Sequence, residues 1–428
     1  MDYTNIINKP IIKENKFLNK LEYVMIFLML YISSSFFINA IPGMIILGAH
    51  FVCVFILFIM SMLGGKKIII NSNIAMKTIT LIAIIGLGSM SARGDDAKQT
   101  TIDILQILIA YLYALNFSFD NYIKKFTNLI YFLCFYSIVI YFLYIIVPDI
   151  IELLPDVKNS NGHVAQNAIF SVIYNGKHAR NQSIFWEPGA FQTYINLALL
   201  AELFYLKNIT KKRFIVYTIG IFTTYSTAGY IAALFIVYAY VTNLIFTTSG
   251  ENKNRTRNLF FVLTVVIIVV FVFASMDTVL SNHVFGKFDT FFGSGGQTHR
   301  NTTSSVRFEA FIRPFKVFWN YPMFGAGTRG MHNFAHNERY NLNTCTFVNW
   351  FAYFGIFFGS LMMQMFYKFA KQFTKNKLIV FMIFFAIFLV TASENYHRNP
   401  SILIFAFFPF VNSEEEKKNE NLIEHKQL

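Results

Sequence analysis

Long apolar runs constrain this chain more than any other feature of its sequence. Runs of about 20 apolar residues recur along it, and one such run is long enough to cross a bilayer as a helix. The composition agrees, since 55% of the 428 residues are hydrophobic and only 14% are charged. A soluble protein of this length needs more polar surface. The sequence therefore predicts an all-α polytopic integral membrane protein.

We place twelve transmembrane helices in a single membrane domain that covers residues 1–428. The predicted spans are 21–41, 43–63, 74–90, 102–119, 127–147, 187–206, 214–226, 229–246, 258–276, 342–366, 378–393 and 400–411. The first run exceeds the core of a signal peptide, which predicts an uncleaved first span. The charged segment 412–428 predicts a disordered, solvated tail.

Lysine and arginine fall unevenly on the two sides that these spans define. One side has 23 of the 36, whereas the short loops on the other side have only Arg93, Lys98 and Arg398. The positive-inside rule then places both termini in the cytoplasm. The two long connections, 148–186 and 277–341, face outward and contain the other ten, six of which are arginines.

The net charge of +13 does not indicate a nucleic-acid-binding protein, because the cations lie in short clusters between apolar runs. The three cysteines, Cys53, Cys134 and Cys345, lie in or beside apolar runs. Their odd number and their spacing indicate small core residues rather than a metal site or a disulfide framework.

The segment HARNQSIFWEPGAFQTYINLALL, residues 178–200, places charged residues directly before an apolar run. Pro188 suits the first turn of a helix, and the helix dipole favours the carboxylate of Glu187 there. Trp186 fits the aromatic belt of a membrane interface. A helix start therefore explains these three residues, but not the following GAFQ. Small residues at Gly189 and Ala190 permit another group to approach closely.

The outward arginines are the second feature that needs an explanation. They are Arg180, Arg300, Arg307, Arg313, Arg329 and Arg339. Guanidinium groups bind phosphate and carboxylate in a bidentate way, so an outward cluster suits a lipid-linked phosphate or an acidic sugar. Alternatively, these arginines anchor the loops to anionic headgroups or pair with Asp289, Glu309 and Glu338.

Three further outward segments carry polar or amphipathic patterns. Residues 304–322 predict an interfacial amphipathic helix, kinked or restarted at Pro314. His332 and His336 have the i, i+4 spacing of zinc ligands, but the inner glutamate of H-E-x-x-H is absent, so we predict no metal site. His336 is instead a candidate general base. The segment SENYHRNP, 393–400, returns Glu394, His397 and Arg398 to the same outward side.

The pattern R-x6-EPGAFQ-x-YINLAL, which contains Arg180 and Glu187, resembles the signature of Wzy-type O-antigen polymerases. The STAG turn at 226–229, the arginine-bearing helix, and YPMFGAGTRG running to YFGIFFG also match this pattern. The resemblance covers about 178–360 and extends to the wider superfamily of O-antigen polymerases and ligases.

The resemblance implies a glycosyltransferase of GT-C-type architecture with two large periplasmic loops, in the bacterial inner membrane. Such enzymes transfer a growing glycan from undecaprenyl pyrophosphate to the non-reducing end of the next lipid-linked repeat unit, and they need no cofactor. The implied partners are this lipid-linked oligosaccharide, membrane lipid and a chain-length regulator.

From this resemblance we assign pyrophosphate binding first to Arg180 and Arg307. Arg313 and Arg329 are the second candidates for the same role. Glu187 is our first candidate for the base that takes the hydroxyl proton, and His336 is the second. Alternatively, Glu187 pairs with an arginine and holds it in place.

Two other functions stay open from the sequence. O-antigen ligases use the same donor but transfer to lipid A-core, and they carry a histidine–asparagine pair shortly before the last helix motif. About a dozen residues before Gly355 this chain has Leu342 and Asn343, which favours a polymerase. A transporter of lipid-linked oligosaccharide would show repeated halves or charges at mid-membrane depth.

Overall fold

The protein is a bundle of helices with one small sheet. The computed structural model describes residues 16–38, 41, 43–64, 72–90, 97–158, 164–174, 179–248, 303–337 and 345–411, and isolated residues between 254 and 264; the side chains of 303–311, 332 and 334–337 are outside this description. The helices in this part of the chain are α1 (Lys16–Ser34), α2 (Gly43–Leu63), α3 (Ser72–Met90), α4 (Ala97–Asn116), α5 (Phe119–Ile146), α6 (Pro148–Glu152), α7 (Pro188–Leu200), α8 (Lys211–Thr223), α9 (Thr227–Thr247), α10 (Thr303–Asn320), α11 (Gly327–Asn337), α12 (Thr346–Lys371), α13 (Lys377–Thr391) and α14 (Pro400–Val411).

Six of these helices, α1, α2, α3, α5, α9 and α12, are long and apolar enough to cross a membrane. The chain is therefore a multi-pass membrane protein, as predicted. Helices α4, α7, α8, α13 and α14 also form where spans are predicted, but most of them are short, so a total of twelve stays a prediction. The predicted span 258–276 and tail 412–428 lie almost wholly outside the described residues.

The first long connection, 148–186, contains a small antiparallel sheet that the sequence analysis does not predict. Its strands are β1 (Asp156–Lys158), β2 (Val164–Asn167) and β3 (Val172–Tyr174), in the order β1-β2-β3. Val157 pairs with Ala165, and Gln166 pairs with Ile173. One sheet face packs on Phe36 at the end of α1, which explains why so short a sheet is stable.

Two ion pairs, each with a lysine or an arginine, lie at one end of the bundle, which we call the basic end. Lys125 at the start of α5 pairs with Glu22, and Arg213 at the start of α8 pairs with the buried Glu202. Glu202 lies in a π-helical turn, Ala201–Leu206, that continues α7. Glu22 near the start of α1 and Glu202 beyond the end of α7 therefore lie at the same end of the bundle as these two cations.

The second long connection, 277–341, is described from α10 onward. Helix α10 continues through Pro314 as one helix and so does not restart there. Val317 is buried, whereas Phe315 and Trp319 are 46% and 75% exposed. The exposed aromatic side chains fit the predicted interfacial role, which stays a prediction.

The α10–α11 turn is attached to a kink in α12. The backbone N–H of Ala326 donates to Ala352 O at 2.8 Å, and that of Ile356 donates to Pro322 O at 2.8 Å. Gly325 and Gly355 have φ of 70° and 82°, and a Cβ on either would overlap backbone atoms of the other segment. Only glycine allows this backbone approach. The motifs YPMFGAG and YFG therefore form one docked unit.

Candidate functional site

A polar cavity of about 320 Å³ lies at the end of the bundle opposite the basic end. We call it the polar pocket. Its polar lining consists of Ser33, His50, Gln106, Trp186, Glu394, Asn395, His397, Arg398 and Asn399, and its apolar lining includes Ile32, Ile38 and Ile46. Residues far apart in sequence therefore meet here, from α1, α2, α4, the start of α7 and the α13–α14 connection.

Trp186 joins two carboxylates at the edge of the polar pocket. Its indole N–H lies 3.4 Å from Oε1 of Glu187 and 3.3 Å from Oε2 of Glu394. Glu187 is exposed and is the N-cap residue of α7, with Pro188 in the first turn, as the sequence predicts. The positive end of the helix dipole stabilises both negative charges there.

Gly189 explains why small residues follow Glu187. A Cβ at Gly189 would overlap Oε1 of Glu394. The prediction that this glycine permits another group to approach closely is therefore confirmed, and the group is a carboxylate 205 positions later in the chain.

A buried histidine forms another part of the wall. Nδ1 of His397 lies 2.6 Å from Oδ1 of Asn395, and the imidazole stacks on the Tyr353 ring with 4.1 Å between centroids. The backbone N–H of His397 also donates to the same Asn395 oxygen. Nδ1 is therefore the protonated nitrogen. Burial, together with the Arg398 charge, lowers the pKa of His397 well below its usual value, so the imidazole is neutral.

An ion pair fixes the neighbouring arginine. Arg398 pairs with Asp103 of α4, whose side chain is only 2% exposed, and it also contacts the hydroxyl of Thr328 at the start of α11. The guanidinium lies over the Tyr353 ring, 5.7 Å from its centroid. Because the carboxylate balances the positive charge, this arginine is held rigidly and adds little net charge to the polar pocket.

Hydrogen bonds fix the whole α13–α14 connection against its neighbours. The side-chain amide of Asn399 donates to Ser33 O at 3.0 Å and to Ser34 Oγ at 2.9 Å. Thr346 donates to Glu394 O at 2.8 Å, and the Trp350 indole donates to His397 O at 3.3 Å. The pocket side chains therefore project from a rigid backbone.

The EPGAFQ and STAG motifs pack against each other. Gln192 donates to Ser393 Oγ at 2.7 Å, and a Cβ on Gly229 would lie 2.9 Å from the Gln192 Cβ. Asn196, one turn further along α7, donates to Gly229 O at 3.2 Å. The polar atom that Gln192 brings into the span is thus part of a packed interface between α7, α9 and α13.

The structure places Arg180 on the α8–α9 turn. Its Nε donates to Thr224 O at 2.8 Å and its guanidinium donates to Tyr225 O at 3.1 Å. Arg180 therefore binds carbonyl groups at the C-terminal end of α8. This gives the side chain a structural role in addition to the predicted one.

The other predicted site residues lie on the second long connection, 277–341. Arg313 on α10 is partly buried, and Arg329 on α11 is exposed, one residue after Thr328. The side chains of Arg307 and His336 lie outside the described residues. Within the described residues, no group of three or more His, Cys, Asp or Glu side chains has the geometry of a metal site.

Three charged or titratable pocket residues, and the carboxylate that pairs with one of them, are missing from the candidates that the sequence analysis selects. They are Glu394, His397 and Arg398, and Asp103, the partner of Arg398. The segment SENYHRNP signalled the first three, because it brings a carboxylate, an imidazole and a guanidinium together in five residues. Nothing local indicates that they meet Trp186 and α4.

Fold and pocket together define a multi-pass membrane protein that gathers polar chemistry at one end of its helix bundle. Residues 214–349 match the model of the Wzy_C family, described as O-Antigen ligase, so this part of the chain is similar to the O-antigen ligase and polymerase family. Enzymes of this family transfer glycans from lipid carriers. The matched segment runs from α8 into α12. Comparison with curated proteins gives no significant match.

Proposed function

We propose that this protein is an O-antigen polymerase in the bacterial inner membrane, with both termini in the cytoplasm and its site at the periplasmic face. It transfers the growing glycan from undecaprenyl pyrophosphate to the non-reducing end of the next lipid-linked repeat unit. The observation that carries the proposal is the match of residues 214–349 to this family. The polar pocket supports it, because it lies opposite the basic end, where a periplasmic reaction requires it.

Polymerase is favoured over ligase by one sequence observation. Ligases carry a histidine–asparagine pair shortly before the helix motif that contains Gly355, and this chain has Leu342 and Asn343 at the corresponding distance. Its own pair, His336 and Asn337, lies further upstream.

The proposed reaction needs a base and a cationic site for the leaving group. The acceptor hydroxyl oxygen bonds to the anomeric carbon of the donor sugar while the bond from that carbon to the pyrophosphate oxygen breaks. The hydroxyl proton passes to the base, and undecaprenyl pyrophosphate leaves with the electron pair. Glu187 is the first candidate base because it is exposed beside the polar pocket, and His336 is the second.

Arginines would stabilise the charge that develops on the pyrophosphate. We assign this role to Arg180 and Arg307, then to Arg313 and Arg329. Removing one preorganised donor of this kind costs about 3 kcal/mol of transition-state stabilisation, or roughly a hundredfold in rate. A chain-length regulator is the proposed protein partner.

The deciding experiment is a gel of lipopolysaccharide from the source cell with this gene deleted, beside the complemented strain. A polymerase deletion leaves lipid A-core capped with a single repeat unit. Bare core together with accumulated lipid-linked polymer would identify a ligase instead. An unchanged ladder would refute both functions.

Complementation with variants then tests the assigned residues. We expect Glu187→Gln to leave core plus one repeat unit at a normal level of membrane-inserted protein. Arg180→Ala removes both the proposed pyrophosphate contact and the hydrogen bonds to the α8–α9 turn, so Arg180→Lys is the matched variant. Lysine keeps the charge but cannot reproduce the two guanidinium bonds to Thr224 and Tyr225. Full activity of Glu187→Gln would exclude that carboxylate as the base.

A further inference from the structure

Two hydrogen-bond acceptors that line the polar pocket have no donor among the described residues. They are Oε1 of Gln106 and Nε2 of His397, and both atoms are buried. His397 is only 7% exposed, and its Nδ1–H is directed to Asn395, which leaves Nε2 as a lone-pair acceptor. Buried polar atoms without partners are rare and costly, so each needs a source of donors.

The same wall presents further acceptor oxygens. Glu394 faces the pocket edge, and its carboxylate shares the Trp186 N–H with Glu187. The one cation in the described lining, Arg398, is balanced by the buried Asp103. A pyrophosphate brings only acceptors and negative charge, so it is repelled here. A neutral molecule rich in hydroxyl groups supplies the donors that these atoms need.

The size of the pocket and its aromatic wall restrict the class of ligand further. A volume of about 320 Å³ is at the small end of the ~300–1,000 Å³ typical of small-molecule sites, which suits a terminal sugar rather than a whole repeat unit. Trp186 is half-buried, so its ring contributes apolar surface while its N–H stays paired.

We propose that the polar pocket is a saccharide subsite that binds the non-reducing terminal sugar of the acceptor, through hydroxyl donors to Gln106, His397 and Glu394 and through packing on Trp186. This proposal rests on the proposed polymerase function, whose acceptor it locates. The pyrophosphate of the donor binds elsewhere, on the side of the outward arginines.

Ligand-observed saturation-transfer NMR tests the subsite without any enzymatic turnover. The protein is the full chain in nanodiscs, and the probe is the repeat-unit oligosaccharide released by mild acid from the source cell's polysaccharide, which carries no phosphate. We expect saturation of protons on the non-reducing terminal sugar. Trp186→Leu and Gln106→Leu should each weaken binding about tenfold, which corresponds to ~1.4 kcal/mol.

Each variant has a matched control away from the pocket. Trp319→Leu removes a 75% exposed indole on α10, and Gln372→Leu removes a buried, unpartnered amide oxygen after α12 among the described residues. Both should bind the oligosaccharide like the unmodified protein. If Trp186→Leu fails to fold, Gln106→Leu decides alone.

Three results would overturn the subsite: no saturation, equal weakening in the control variants, or displacement of the oligosaccharide by inorganic pyrophosphate. In the first case, the orphaned acceptors bind water instead. The lipopolysaccharide gel of the deletion strain distinguishes a failure of the subsite proposal from a failure of the polymerase proposal. Loss of the ladder on deletion without oligosaccharide binding refutes the subsite alone, whereas binding with an unchanged ladder refutes the polymerase function alone.

Discussion

Gly189 and the carboxylate of Glu394 lie so close together that a side chain fits at position 189 only if Glu394 moves. A Cβ there would overlap Oε1 of Glu394. This contact joins the start of α7 to the α13–α14 connection and brings Glu394 to the Trp186 N–H. The glycine of EPGAFQ thus has a physical reason: it shapes one edge of the polar pocket.

Gly189→Ala should therefore damage the polar pocket while leaving most of the bundle intact. The added methyl group forces the Glu394 side chain away from Trp186, since the neighbouring backbone is fixed by hydrogen bonds. We expect a loss of polymer in the lipopolysaccharide gel and a modest drop in apparent melting temperature in detergent. Gly48→Ala is the control, because a Cβ there meets nothing within 4 Å. An active Gly189→Ala protein would contradict this interpretation.

The sequence predicted the parts of this site that follow from local pattern. Capping preferences predicted the helix start at Glu187 and Pro188, and the small size of Gly189 predicted that another group approaches it closely. Helix positions followed from apolar runs. None of these patterns is able to identify the partner at Gly189, because α7 and the α13–α14 connection meet only through the packing of the intervening helices.

The sheet and the ion pair escaped prediction for related reasons. Strands of three or four residues are too short to show a period of two, and the sheet depends on Phe36 of α1 for its packing. Asp103 lies at the start of the predicted span 102–119, and only the structure pairs it with Arg398, 295 positions later in the chain. Long-range pairs of this kind leave no local signal.

The glycine at the α12 kink gives a prediction about stability. Gly355→Ala places a Cβ on a residue with φ of 82° and against the backbone of Met323. The left-handed conformation alone costs about 1–2 kcal/mol for a residue with a side chain, and the clash adds to it. We expect a lower apparent melting temperature than that of Gly48→Ala, measured by fluorescence-detected size exclusion. Equal melting temperatures would show that the α10–α11 turn moves freely to relieve the clash.

The Asp103–Arg398 pair should show strong coupling in a double-mutant cycle. Asp103→Asn leaves a guanidinium without its counter-ion in a mostly buried site, which costs about 3–5 kcal/mol of folding free energy. Arg398→Gln leaves the buried carboxylate unbalanced and should be similarly costly. The double variant should be less destabilised than the two single effects added together. Additive losses in denaturant or thermal unfolding would mean that the two charges do not stabilise each other.

Because the His397 imidazole is buried, we expect the free energy of unfolding to fall as the pH falls below neutrality. Burial and the Arg398 charge lower the pKa of the folded imidazole below the 6.5 of an unfolded histidine. Above pH 6.5 both states are neutral and the full stability is present. Below it the unfolded chain takes up a proton that the folded chain does not, so stability is lost at up to ~1.4 kcal/mol per pH unit until the folded pKa is reached.

The readout is the apparent melting temperature at pH 7.5, 6.5 and 5.5 for the unmodified protein and for His397→Gln. The His397 ring stacks on Tyr353 and lies beside the Arg398 charge. His397→Gln should therefore lose part of the slope between pH 6.5 and 5.5. Parallel curves for the two proteins would mean that His397 takes up its proton without unfolding, which requires water or a hydroxyl oxygen at Nε2 that accepts the new N–H.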